Sequence, residues 1–186
     1  MFDTDLDRTA SLARSFSALG EAESATLTGL APLVVPRLDG VTDRFYERLQ
    51  SIPEAAVFVE GRLDSLRRTH RAWLEKLFSG SYDAGYAAEM YRVGEAHVEV
   101  RLPLEFMAGA TTLIMDALIE VLEDVCRDRD HLAESSRAVN AVLGYSLMIM
   151  QESYHATSLA NQLTRFLRVT GMSRDLFNNL ASSAGN

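Results

Sequence analysis

The chain has 186 residues, 18 Lys and Arg against 26 Asp and Glu, and a formal charge of −8. That length suits one domain with a short appended segment, and the acidic balance argues against a nucleic-acid backbone as partner, which would require clustered positive charge. One cysteine, Cys126, excludes an internal disulfide framework, and a single lysine, Lys76, with no GxxxxGK[ST] or GxGxxG, argues against phosphate-cradling folds.

The N-terminus carries Asp3, Asp5 and Asp7, unlike the basic start of a signal peptide. No uncharged apolar run is long enough for a membrane span, so the chain reads as cytoplasmic. Apolar residues recur at helical spacing nearly throughout, and alternating β-branched runs are almost absent. A first helix is expected from about Asp3 to Leu19, stopped at Gly20. A second starts near Glu21 and meets Pro32, and Pro36 opens a third with Leu38, Val41, Phe45 and Leu49 on one face. Ser51-Ile52-Pro53 stops that helix, because a residue before proline is pushed out of the helical region. A short helical turn follows at Pro53 to Val59.

Arg62 to Phe78 carries Leu63, Leu66, Trp73, Leu74 and Leu77 on one side, and Ser79-Gly80-Ser81 ends it. Tyr82 to Leu102 is helical, with Tyr86, Met90, Val93, His97 and Val100 in one stripe, and Pro103 breaks it. Leu104 to Val125 and His131 to Tyr154 are long amphipathic helices, the second continuing to about Val169. The tail from Gly171 to Asn186 reads as frayed or linker-like. The fold class is all-α, with about seven helices of unequal length, a set able to enclose a pocket.

His97 is the most informative residue. An imidazole on an apolar stripe costs desolvation unless its ring nitrogens find partners, either a hydrogen bond or a metal, and spacing alone does not choose. A carboxylate-bridged di-metal bundle has little support: Glu152 and His155 form a single ExxH, where that architecture requires two. Cys126 lacks a CxxC partner, and no strand–turn–helix context exists for a serine nucleophile.

The words around these residues resemble a known family. Arg92-Val93-Gly94-Glu95-Ala96-His97-Val98-Glu99-Val100-Arg101-Leu102-Pro103 is similar to the (R)(I/V)GxxHxx(I/V)GLxP pattern of globin-coupled sensors, the globin-like domains of bacterial haem-based oxygen sensors. Phe45-Tyr46-Glu47-Arg48-Leu49 resembles their FYxxL segment, and Leu66 to Leu74 their distal helix. Leu77-Phe78-Ser79-Gly80-Ser81-Tyr82 resembles their LFxGxYD turn, and Met107-Ala108-Gly109-Ala110 their xxGA helix start. The resemblance runs from about Ala10 to Ser158. Two positions depart from it: Arg101 stands where the family usually has Gly, and Phe106 where Tyr is common.

The resemblance implies a globin-like fold with an extra N-terminal helix. It implies a haem b cofactor (iron protoporphyrin IX) held by His97 on the proximal side. Tyr46 is then the distal hydrogen-bond donor to bound O2, with Thr69 a second candidate donor and Leu66 a distal wall. Phe45, Trp73, Met90, Val93 and Arg101 would line the haem, Arg101 either altering the helix end or reaching a propionate. His70, next to Thr69, is left between a helix-surface or inter-helix role and a sixth iron ligand. The expected function is a gas-sensor domain, for O2 and also CO or NO, without enzymatic activity of its own. The last two long helices would pair with those of a second copy in a four-helix bundle. Residues 1–158 would be the haem-binding domain and 159–186 a signalling helix and linker toward an output module: a kinase, cyclase or chemotaxis transducer. The rival expectation is a globin-fold signalling module that lacks haem and senses another ligand or partner. Nitric-oxide dioxygenation would require an electron source, for which no flavin or nicotinamide motif is visible.

Overall fold

A computed structural model describes residues 6–184, and every described element is helical. The elements are α1 (Leu6–Ser17), α2 (Glu21–Val34), a 3-10 turn (Val35–Arg37), α3 (Leu38–Gln50), α4 (Pro53–Ala56), α5 (Leu63–Lys76), α6 (Ala84–Glu99), α7 (Leu104–Val125), α8 (Arg129–Thr170) and α9 (Arg174–Ala184). None of these helices is long and apolar enough to cross a membrane.

The all-α reading and the order of the helices hold. Three local expectations are corrected. Pro32 lies inside α2 and does not end it, because Leu27, Leu30 and Val34 on either side of it are all buried and hold the turn. The tail contains a helix, α9, whose Phe177 meets Phe166 of α8 edge-on at 6.3 Å. Division into shorter pieces, α4 and the 3-10 turn included, raises the number of elements above the seven expected. The expected start of the first helix at Asp3 lies outside the described residues.

Helix α8 is the spine. Its 42 residues span about 63 Å at 1.5 Å per residue, and α1, α2, α6 and α7 all pack on its N-terminal part. Val139, Val142, Ile149 and, from α7, Leu118 and Leu122 are fully buried there, each worth about 1.5–3 kcal/mol relative to exposure. The Asp128 carboxylate accepts from the His131 amide at 2.8 Å to start α8, and Gly171 at φ +67 ends it. Beyond about residue 155 most of α8 is exposed, including Phe166 and Val169. Helix α3 joins the two halves, packing on both α5 and α7.

Candidate functional site

The site is built on α6, whose register is fixed at three points. Asp83 caps its start, accepting from the Tyr86 amide at 3.0 Å. The middle crosses α8 so closely that a Cβ added at Gly94 would lie 2.3 Å from the Met150 carbonyl oxygen and 2.9 Å from Ser153 Cβ. Ser153 donates to the Tyr91 carbonyl at 2.5 Å across the same crossing. Nearer the start of α6, Tyr86 donates to Ser146, 2.7 Å away, whose own hydrogen goes to the Val142 carbonyl.

The third point is the C-terminal end. The Leu102 amide bonds back to the His97 carbonyl at 3.0 Å and the Arg101 amide to the Val98 carbonyl at 3.0 Å, with Arg101 at φ +56. This is the left-handed helix stop that glycine fills most easily. The arginine departure noted in the sequence therefore sits at a conformationally demanding position, and its side chain is exposed. Tyr154 of α8 then donates to the Leu102 carbonyl at 2.8 Å, tying the end of α6 to the spine.

His97 is partly buried, and its Nδ1–H donates to the Val93 carbonyl at 2.7 Å. A carbonyl only accepts, so the proton is on Nδ1 and the lone pair on Nε2. Burial pushes the ring's pKa down, the Val93 bond opposing it, so the imidazole is neutral at pH 7. A neutral ring with one nitrogen anchored and the other bare has the chemistry of a metal ligand oriented from behind.

Helix α5 packs on α3, whereas α6 packs on α8, and two side-chain contacts join α5 to α6. Trp73 Nε1 donates to Met90 Sδ at 3.2 Å and Lys76 pairs with Glu89. Met90 is fully buried, whereas Leu66, Trp73, Val93 and His97 are only partly so. Two surface clefts, of about 390 Å³ between α3 and α7 and about 490 Å³ around Gly61 to Arg68, do not include His97 among their walls.

On the α3 side Tyr46 is buried, edge-on to Phe45 at 5.0 Å and to His70 at 5.5 Å. Burial pushes its phenol up to about 12 against the opposing charge of Arg67, so it stays protonated and able to donate. His70 stacks on Phe45 at 4.4 Å and lies 5.8 Å from Trp73, which makes it an inter-helix residue and not a surface one. Both of its ring nitrogens are buried with no partner, as is Thr42 Oγ1 one turn from Tyr46. Thr69 shares the α5 face of Leu66 and Trp73, but its hydroxyl is occupied, bonded to the Ser65 and Leu66 carbonyls at 3.2 and 3.0 Å. The structure thus gathers Phe45, Tyr46 and Trp73 around His70, and Trp73 in turn meets Met90 of the histidine helix. Arg101 stands apart at the helix end. Gly94, Ser153 and Tyr154, which position the histidine helix, were not singled out by the sequence; the Gly three residues before His97 was the one available signal.

A family model described as Protoglobin matches residues 7–160. The chain belongs to the protoglobin family. It is 28% identical over 141 residues to the Heme-based aerotactic transducer HemAT of Halobacterium salinarum, covering 74% of this chain but 28% of that protein. It thus spans less than a third of that relative. Among solved structures, the globin domain of a Geobacter sulfurreducens globin-coupled sensor is 29% identical with a TM-score of 0.72, covering 77% of this chain and 96% of that one. The globin domain of E. coli DosC, 13% identical with a TM-score of 0.61 over 79% and 97% of the two chains, shares the fold. The likeness to globin-coupled sensors read from the motifs therefore stands, and this protoglobin has an all-α, globin-like fold.

Proposed function

We propose that this protoglobin is the haem-based gas-sensing domain of a signalling protein, with His97 as the one protein ligand to the iron. The observation that carries the reading is the neutral His97 ring, anchored through Nδ1 and bare at Nε2. A free metal ion would need several protein donors, and among the described residues no group of three or more His, Cys, Asp or Glu is gathered for one. An iron porphyrin brings its own ring nitrogens and asks for a single imidazole. With one cysteine and no CxxCH, covalent attachment has no basis, which favours haem b. The names of the relatives support the same reading.

When bound, the group would supply an iron able to take up a diatomic gas, with His97 as the residue holding it. The chain supplies everything else. The Val93 carbonyl fixes the His97 ring plane. Leu66, Trp73, Met90, Val93 and Phe45 exclude water from the site. The protonated Tyr46 hydroxyl donates to a ligand carrying partial negative charge, which favours O2 over CO. Thr69 becomes a second donor only if its hydroxyl releases the backbone carbonyls it now holds. Arg101, exposed and cationic, is suited to pair with a haem carboxylate. Any displacement of His97 passes through its own carbonyl to Leu102, and from the Leu102 carbonyl to Tyr154 on α8. Helix α8 runs unbroken past residue 158, where the signalling segment is proposed to start, and the family match ends at residue 160. In this reading α7 and α8 pair with a second copy, and α8 and α9 lead to a cytoplasmic output module that performs any catalysis.

Hemin titration of the purified protein tests this directly. A Soret band saturating near one haem per chain, lost in His97→Ala, is the expected result. A wild-type protein that refuses hemin favours a haem-free signalling module. Tyr46→Phe should raise the oxygen dissociation rate about tenfold, the equivalent of one hydrogen bond of about 1–1.5 kcal/mol.

A further inference from the structure

Four large apolar side chains in the last part of the chain stand in solvent: Phe166, Val169, Leu176 and Leu180, at 48, 78, 50 and 51% exposure. Their spacing is ordered. Leu159, Leu163 and Phe166 step by four and then three, and the same steps continue without a slip through Thr170, Ser173, Phe177 and Leu180. This is the heptad spacing of a coiled-coil seam, kept in register across the junction of α8 and α9 for about three heptads. Val169 and Leu176 take the positions that flank the seam, whereas Arg165, Arg168, Asp175, Asn178 and Asn179 fall on the outer side. Two helices that merely follow one another have no physical reason to share one register.

The structure breaks the seam at its polar middle. Gly171, at φ +67, stops α8, and the Ser173 hydroxyl starts α9 by accepting from the Leu176 amide at 3.2 Å. In one unbroken helix Phe166 and Phe177 would share a stripe about 16 Å apart. The bend instead brings their rings edge-on at 6.3 Å, while Leu176 and Leu180 stay half exposed.

We infer that residues 159–184 pair with a second copy of this chain as a parallel two-stranded coiled coil, α8 and α9 straightening into one helix across Gly171. The bent form is the closed alternative, in which Phe177 covers Phe166 in place of the second copy. The inference goes beyond the haem reading and does not depend on it. It also lies outside the pairing of α7 and α8 within residues 1–158. Charge suits a second copy. In parallel register the flanking pairs are Gln162 with Leu167, Val169 with Arg174 and Leu176 with Ala181, so no like charges are opposed although the chain carries −8 overall. Thr170 and Ser173 in the seam, with Gly171 beside them, are poor in a helix interior and poor as apolar knobs. Apolar ends and a weak centre make the segment a two-state element, with the seam or the Phe166–Phe177 contact as its two covers.

Cysteine cross-linking in the full chain tests this, with Cys126→Ser removing the native thiol. Leu180→Cys lies on the seam and Asn178→Cys on the outer side, and both positions are exposed in the bent form. Under a mild oxidant, Leu180→Cys should give disulfide-linked dimer about tenfold faster than Asn178→Cys. Gly171→Ala favours the straight helix and penalises the bend, so it should raise the Leu180→Cys rate by about tenfold. Gly171→Asn, which tolerates the left-handed bend, should leave that rate near its starting value. Pairing of α7 and α8 alone gives no preference between the two cysteines. Equal rates at both, unmoved by Gly171→Ala, overturn the proposal whatever the hemin titration shows. Co-sedimentation of such a protein with phosphatidylglycerol vesicles would assign the apolar face to a lipid surface and overturn it equally.

Discussion

Helix α6 has two faces that are built in opposite ways. Toward α8 it is closed: Gly94 lets the backbones touch, Ser153 and Tyr86 stitch the crossing with hydrogen bonds, and no space is left for a methyl group. Toward α5 it is less closely held: Val93 and His97 are partly exposed, and the contacts are those of Trp73 with Met90 and Lys76 with Glu89. Polar groups follow the same division. On the closed side hydroxyls are paired, whereas on the α3–α5 side both His70 nitrogens and the Thr42 hydroxyl are buried with no partner. The difference teaches that α6 is a rigid carrier with a vacant working face. Its attachment is complete without a ligand, and its unmet demands all point to the side where a ligand is proposed.

Breaking the closed face should have the largest effect. Gly94→Ala puts a Cβ against the Met150 carbonyl, which is backbone and cannot rotate away. Overpacking of this kind costs about 3 kcal/mol, or a melting temperature lower by roughly 6–12 °C for a chain of this size. Gly40→Ala, where nothing lies within 4 Å of the added atom, is the control. It should raise stability by up to about 1 kcal/mol through helix propensity alone. Equal melting temperatures for the two variants would contradict the close crossing.

The open face should reveal itself through pH in the haem-free protein. Folding lowers the pKa of His70 to about 4 and that of His97 in the same direction, while the unfolded chain keeps histidine near 6.5. Above pH 6.5 both states are neutral and the histidines contribute no slope. Between 6.5 and 4 the unfolded state binds more protons, so stability falls as pH falls. The slope from His70 approaches about 1.4 kcal/mol per pH unit, and His97 adds to it in the same direction. Urea midpoints at pH 7.5, 6 and 5 measure it, and His70→Leu should remove the larger part. A smaller effect is expected from Tyr154→Phe, which leaves the Leu102 carbonyl without its donor and should cost about 1 kcal/mol in thermal unfolding.

The sequence carried the closed and open faces unequally. Helical periodicity and most of the glycine and proline breaks were legible, because each acts within a few residues of itself, whereas the Asp83 cap was passed over when that helix was started at Tyr82. Pro32 misled, since burial of Leu30 and Val34 on the far side of it is a tertiary effect. The tail misled for a related reason: its polar C-terminus hid a helix that the Phe166–Phe177 contact supports. His97 and Tyr46 stood out through their neighbouring words. Gly94 was visible as a letter, but a glycine says nothing of what lies opposite it, and Ser153 and Tyr154 are more than fifty residues away. Thr69 shows the limit most clearly. The residue was legible as a candidate donor, yet it is exposed, and a hydroxyl bonded to its own backbone leaves no mark in the sequence.

The smallest predicted effect is also the one that ties the departure at Arg101 to the geometry of α6. A side chain with a Cβ in the left-handed region is strained by about 1–2 kcal/mol, and Arg101 sits there at φ +56. The position closes the helix that carries His97, so it has to adopt this conformation for the Leu102 amide to reach the His97 carbonyl. Arg101→Gly removes the strain but gives the unfolded chain more freedom, which takes back part of the gain. The net should be a stabilisation of about 0.5–1 kcal/mol in the haem-free protein, read as a rise in the urea midpoint at unchanged slope. If the arginine also pairs with a haem carboxylate, the same variant should release haem faster while being the more stable apoprotein. A variant that loses stability without haem would show that the exposed guanidinium does something in the fold that outweighs the strain of its backbone.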